Sequence, residues 1–322
     1  MGDPQVQAEY TELFRADSII ADAEAVREVL LADRADKRWS TIGQSFGGFL
    51  TLSYLSFAPQ SLRDCRITAG LAPIRTSVDN VYQHTFDRMK ERVEEYYSWF
   101  PEDAELATRI AEHLRTHKEY LPTGERLTDH RFQMAGHFLG GRWRERGLHY
   151  FLETAFAEGN DHLSDQFLTA MGAEVTFQAN PLYALMHETI YADGPADGVL
   201  PGIPGYELSP SPAPTNWSAA RVAASRPEFA PDADCLLFTG EHIFPWYYEE
   251  DPSLRPLAEV ANLLAEKKDW GRLYDHAQLH KNEVPVVAAA YNPDVYVDFE
   301  HSMETARWVG NTQVWTSKTP HH

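Results

Sequence analysis

Residues 43–48 read Gly-Gln-Ser-Phe-Gly-Gly. The Gly-x-Ser-x-Gly pattern within them makes Ser45 a candidate covalent nucleophile. The flanks give the pattern a context. Arg38-Trp39-Ser40-Thr41-Ile42 is short and rich in β-forming residues, and Phe49 to Phe57 carries apolar Phe49, Leu50, Leu52, Tyr54, Leu55 and Phe57 over a helix-sized span. A serine on such a strand-to-helix turn sits in a strained backbone conformation. Gly43 and Gly47 are expected to leave the clearance that a Cβ would fill. The competing reading is an ordinary glycine-rich turn.

A serine nucleophile needs a base to take its proton and a carboxylate to orient that base. In a hydrolase sheet the chain order is serine, acid, histidine. Asp294 follows the apolar run 284–291, and His321 and His322 follow the strand-like run 312–316. If these strands are parallel, all three positions are loop tips on one rim of the sheet. Position counts for more than residue type here, because the chain holds 14 histidines. Asp294 also suits an Asx turn closing a strand. Asp298 is a rival acid better suited to capping the next helix. His321 is preferred to His322, although two terminal histidines also read as an appended tail.

The elements that must position these residues follow an α/β grammar. A helix is predicted over 17–33, capped by Asp17 or Ser18, with Ile19, Ile20, Ala23, Val26, Val29 and Leu30 on its apolar face. A strand over 38–42, the serine turn, a helix over 49–57 and a strand from Cys65 to Leu71 come next. Residues 78–232 then turn helical and aromatic, with helices over 81–99, 103–116, 129–139, 148–157, 163–171, 180–191 and 216–225. A Pro- and Gly-rich loop over 194–214 interrupts them. Strand pattern resumes at Cys235-Leu236-Leu237-Phe238-Thr239-Gly240, followed by a helix over 253–267. The run 284–291 is almost wholly apolar, as expected of a parallel strand covered on both faces. A helix over 298–309 and a strand over 312–316 complete the chain. The expected architecture is a mostly parallel α/β sheet built from 1–77 and 233–322, with a helical cap over 78–232 above the carboxyl ends of the strands.

At 322 residues, one domain with an insertion is the natural size. A 43% hydrophobic and 12% aromatic composition is that of a globular protein. A net charge of −20 disfavours nucleic acid and anionic membrane as partners, and suits either solubility or a cationic ligand such as a peptide's free amino terminus. Cys65 and Cys235 form no disulfide framework or zinc spacing, and both are expected to be buried. The polar start, Met-Gly-Asp-Pro-Gln, has no signal-peptide stretch and no run is long enough to span a bilayer, so the cytoplasm is the default compartment. No cofactor or metal is expected. His276 and His280 lie four apart without a third ligand, and with His301 they read as surface or packing residues.

Several segments agree in order with one known family. Gly-Gln-Ser-Phe-Gly-Gly, the preceding Phe-Arg-Ala-Asp-Ser-Ile-Ile-Ala-Asp-Ala-Glu, the following Thr-Ala-Gly-Leu-Ala-Pro, Phe-Thr-Gly-Glu-His-Ile-Phe-Pro-Trp at 238–246 and Tyr-Asn-Pro-Asp-Val-Tyr-Val-Asp at 291–298 resemble the proline iminopeptidase (prolyl aminopeptidase) family. The resemblance spans residues 10–322. It implies an α/β-hydrolase fold and a serine peptidase that releases N-terminal proline from peptides. It also implies Ser45 as nucleophile, Asp294 as acid and His321 as base, with the N–H of Phe46 as one oxyanion donor. Acidic residues of the cap are implied to receive the substrate's amino terminus: Glu188, in Leu-Met-His-Glu-Thr-Ile-Tyr, and secondarily Glu241. A buried amine needs such a charge partner; each residue also reads as a simple helix or loop carboxylate. The family's His-Gly-Gly-Pro-Gly segment, a source of the second oxyanion donor, is not found, so the chain reads as shortened at its start and just after the histidines. Two further readings keep the fold. One is an esterase; epoxide chemistry is disfavoured, since it wants an aspartate where Ser45 stands. The other is a non-catalytic binding protein.

Overall fold

The computed structural model describes residues 2–141, 144–157, 161–194 and 214–318. Its strands are β1 (Trp39–Gln44), β2 (Leu62–Thr68), the two-residue β3 (Glu119–Tyr120) and β4 (Arg126–Leu127), β5 (Val286–Tyr291) and β6 (Thr312–Ser317). β1, β2, β5 and β6 form one sheet in that order, every pair parallel, while β3 and β4 form a small antiparallel pair. The α/β class expected from the sequence is therefore the class observed.

The chain divides into two compact units: Met1–Val81 with Glu188–Asn216 and Val260–His322, and Tyr82–His187 with Trp217–Glu259. Of the expected cap, 78–81 and 188–216 fall in the first unit, and 233–259 fall in the second.

In the first unit, helix Phe46–Phe57 packs on β1 and β2, and helix Phe299–Trp308 packs on β5 and β6. Phe49, Leu52 and Leu55 meet Cys65 and Ile67 of β2 and Val286 and Ala288 of β5 in a core closed by Ile20, Leu279, Ala306 and Val309. The register explains which strand residues point inward: Cys65 faces Val286, and Ile67 faces Ala288. Alternate residues point the other way. On that face Ile42 is 77% exposed, Val287 53% and Trp315 59%. The expectation that the 284–291 strand is covered on both faces along its length is thus corrected: Val286 and Ala288 join the core cluster on one face, while Val287 on the other is exposed.

Helix Ala16–Leu30 lies close to its predicted position, but Asp17 and Ser18 do not cap it. Arg15 holds the N-cap position and makes no side-chain cap hydrogen bond. Val26, Val29 and Leu30 are exposed rather than buried, because only the Ile20 side of the helix meets the core. Asp298 does cap helix Phe299–Trp308, accepting from the N–H groups of Glu300 and His301.

The second unit is helical, with a core that includes Phe86, Met89, Tyr96, Phe132, Phe151, Phe167 and Phe238. The expected strand at 235–240 does not form. That apolar run is buried against the 3-10 helix Gln133–Gly140 instead: Thr239 N–H donates to the Gln133 carbonyl at 3.0 Å, and the Gln133 side chain donates to the Leu237 carbonyl at 2.8 Å. A short apolar run reports burial, not the partner that buries it. Cys65 is buried and its thiol is pushed up to about 11 by burial, whereas Cys235 is exposed, contrary to expectation. Among the described residues no helix is long and apolar enough to cross a membrane.

Candidate active site

Ser45 leaves the end of β1 with φ 52° and ψ −123°, a region that a side chain with a Cβ rarely occupies. Such a conformation costs roughly 1–3 kcal/mol and persists only where the surroundings impose it. They do so here. Ser45 N–H donates to the Thr68 carbonyl at 2.9 Å, which extends the β1–β2 ladder by one bond, and Gly48 N–H donates back to the Ser45 carbonyl at 2.8 Å. The chain thus turns from strand to helix within one residue. The turn is possible because three glycines surround it. A Cβ on Gly43 would lie 2.1 Å from the Gly47 carbonyl oxygen, one on Gly48 would lie 2.3 Å from the Gly70 carbonyl oxygen, and one on Gly70 would lie 2.3 Å from the Ser45 carbonyl oxygen. The reading of Gly43 holds, but Gly47 has open space at its Cβ position. The second clearance belongs to Gly48, with Gly70 as its counterpart; the sequence carried that signal in the adjacent Gly47-Gly48 and in the Ala69-Gly70 that closes β2.

Phe46 is the first residue of helix Phe46–Phe57, the elbow helix that follows the serine turn, so its N–H has no acceptor within that helix. It is a donor at the positive end of a helix dipole, next to the serine.

Asp294 stands three residues beyond β5, on the same carboxyl rim from which Ser45 leaves β1. It is buried, and its Oδ1 accepts from the N–H groups of Tyr296 at 2.8 Å and Val297 at 3.0 Å. These bonds fix the carboxylate's orientation. His321 and His322 lie outside the described residues.

Glu188 is buried and opens the 3-10 turn Glu188–Tyr191. The turn is joined to the elbow helix by an edge contact between Tyr191 and Phe49, ring centroids 6.0 Å apart, and Phe49 in turn meets Phe46 at 6.0 Å. Glu188 and Ser45 therefore belong to one packed unit. Glu241 belongs to the second unit, where the Tyr183 hydroxyl donates to its carboxylate. Loss of solvent lowers the pKa of His137 there, against the opposing pull of Glu241. Its neighbour His242 is held neutral. Nδ1 accepts from Gly240 N–H at 3.0 Å, Nε2 meets the Thr85 hydroxyl at 3.0 Å, the ring stacks on Phe86, and burial pushes its pKa well down.

His276 is buried with Nε2 2.9 Å from an Asp193 oxygen, His301 is buried, and His280 stacks on Trp308. A cleft of about 720 Å³ in the second unit is lined by Arg109, Glu112, His113, Arg115 and His117 among others, and contains none of the residues nominated above.

No protein-family profile matches the chain. The chain is similar to the proline iminopeptidase of Aeromonas sobria, 41% identical over 321 residues, an alignment covering 99% of this chain and 70% of that protein. It is similar to the proline iminopeptidase aneH of Aspergillus aculeatus, 35% identical over 329 residues, covering 100% and 68%. Among solved structures it is similar to an acetylester hydrolase from Corynebacterium glutamicum, with 12% identity and a TM-score of 0.31 over 94% of this chain and 59% of that one.

Proposed function

Because the chain belongs to the proline iminopeptidase family, we propose that it is a serine aminopeptidase releasing N-terminal proline, or another small N-terminal residue, from peptides. The observation that carries this reading is the backbone of Ser45, at φ 52° and ψ −123° on the carboxyl rim of a parallel sheet. A turn that held no functional side chain would gain nothing from that strain.

In this mechanism the Ser45 hydroxyl attacks the carbonyl of the first residue while His321 takes its proton. Asp294, oriented by its two backbone hydrogen bonds, stabilises the imidazolium. The Phe46 N–H faces the oxyanion of the tetrahedral intermediate. His321 then protonates the leaving amine, and water hydrolyses the acyl-enzyme. Glu188 supplies the negative charge for the substrate's ammonium or pyrrolidinium group, which restricts cleavage to peptides with a free amino terminus.

The Ser45→Ala variant is expected to lower kcat for a prolyl arylamide by at least about a thousandfold. Retained turnover with a folded protein overturns the assignment. Labelling by a fluorophosphonate reads the same serine independently, and a folded protein that fails to label is a binding protein rather than an enzyme.

A further inference from the structure

Arg15 breaks two local rules at once. It occupies the N-cap of helix Ala16–Leu30, where serine, threonine, aspartate or asparagine is preferred, and it brings a cation to the positive end of the helix dipole. It is also only 5% exposed. Among the described residues its guanidinium meets only neutral groups within hydrogen-bonding distance. Nη2 donates to the carbonyls of Thr189, at 3.2 Å, and Ala192, and Nη1 donates to the Gly271 carbonyl at 3.2 Å. The group lies over the Trp270 ring, 4.4 Å from its centroid. Burial pulls its pKa down to about 10, against the pull of Asp17 and Asp193. A buried cation placed against helix polarity is costly, and such departures are expected where function requires them.

What Arg15 grips is the turn that begins at Glu188. Thr189 lies within that turn and Ala192 follows it, and the Gly271 bond ties Arg15 to the 270–276 segment, where Asp193 also accepts from the N–H groups of Leu273 and Tyr274. On its other flank the turn rests on the elbow helix through Tyr191 and Phe49. The turn is held on one side by the Arg15 bonds to Thr189 and Ala192 and on the other by the aromatic contact with the helix that follows Ser45. The geometry points to Arg15 as a positioning residue that sets the place of the amine-binding carboxylate Glu188, and so governs recognition of the free amino terminus rather than the acyl-transfer step. This inference rests on the reading of Glu188 as the amine's partner.

The test compares Arg15→Gln, Arg15→Lys and Glu188→Gln with the parent protein. Two readouts are used: the ratio of kcat/KM for a prolyl arylamide to that for an aryl acetate, which has no amine, and the calorimetric affinity for pyrrolidine. If Arg15 positions Glu188, Arg15→Gln lowers the ratio and the pyrrolidine affinity by about tenfold, mostly through KM. Arg15→Lys, which keeps the charge but cannot span three carbonyls, falls between. Combining Arg15→Gln with Glu188→Gln adds little to Glu188→Gln alone. A purely structural role predicts instead that arylamide and ester turnover fall together with Tm, leaving the ratio unchanged, and that result overturns the inference. If Glu188→Gln itself leaves the ratio and the pyrrolidine affinity unchanged, the amine-binding reading fails, and the positioning role falls with it. A selective Glu188→Gln beside an unselective Arg15→Gln removes the positioning role alone. Should Arg15→Gln fail to fold, Arg15→Lys carries the same comparison.

Discussion

At the residue scale, the turn that holds Ser45, the proposed nucleophile, is defined by hydrogen atoms that stand where side chains would. Gly43 and Gly48 approach backbone atoms that have no room to retreat, whereas Gly47 faces open space within a helix. Gly43→Ala or Gly48→Ala is expected to cost about 1–3 kcal/mol or more, since the obstructing atoms are main chain. Gly47→Ala is expected to be stabilising by roughly 0.5–1 kcal/mol, as for glycine to alanine in a helix. Denaturant midpoints of the three variants check both signs. The pattern Gly-x-Ser-x-Gly was legible in the sequence and pointed to Ser45, but it misattributed one glycine. Spacing along one segment cannot reveal that one of the close contacts of the turn comes from Gly70, on the neighbouring strand's loop. Nor could it reveal Arg15, whose significance depends on carbonyls that lie far along the chain.

At the element scale, a carboxylate joins three pieces of the first unit. Glu24, on helix Ala16–Leu30, accepts from Arg27 at 2.8 Å, from the Tyr54 hydroxyl of the elbow helix, and from Ser61 at 2.7 Å. Trp39 of β1 donates to the same tyrosine oxygen at 3.0 Å. The Arg27 hydrogen bond first, then those of Tyr54 and Ser61, hold the Glu24 carboxyl at about 2, against the effect of burial. A depressed pKa means the unfolded chain takes up the proton first. The stabilisation is therefore complete above about pH 4.5 and fades as pH falls toward 2. Glu24→Gln is expected to lose about 1 kcal/mol at pH 7, with the difference from the parent shrinking between pH 4.5 and 2, as measured by denaturation across pH. Most elements of this unit were readable from periodicity, because their apolar faces repeat as strand or helix requires. The 235–240 segment was not: its apolar residues are buried by a 3-10 helix, and six residues carry too little periodicity to tell that from a sheet.

At the scale of the whole molecule, the sheet's open face is the feature that composition concealed. Ile42, Val287 and Trp315 stand exposed on it, and among the described residues the outer edge of β1 pairs with no strand. Apolar surface beside an unpaired edge attracts dyes and other chains. The chain is expected to enhance anilinonaphthalene sulfonate fluorescence in its native state. The double variant Val287→Thr, Trp315→Ser is expected to reduce that signal while shifting stability by no more than about 0.5 kcal/mol, since these side chains pack on little. A variant with undiminished signal would locate the apolar surface elsewhere. The run 284–291 suggested burial on both sides because hydrophobicity records what a strand can tolerate, and on one face of this strand Val287 stands exposed.

The order of the strands has a consequence for how the protein comes into being. β2 finds its partner β5 only after the intervening chain, including all of the second unit, has been made. On the ribosome, β1 and β2 emerge well before β5 as a two-stranded ribbon, too small to persist unaided. The helix Phe46–Phe57 then has apolar residues and no finished core to receive them until β5 and helix Phe299–Trp308 have followed. Long-range pairing of this kind slows folding and prolongs the exposure of sticky intermediates. Ser45 is thus translated well before β5 and β6, the strands that complete the sheet securing its strained geometry.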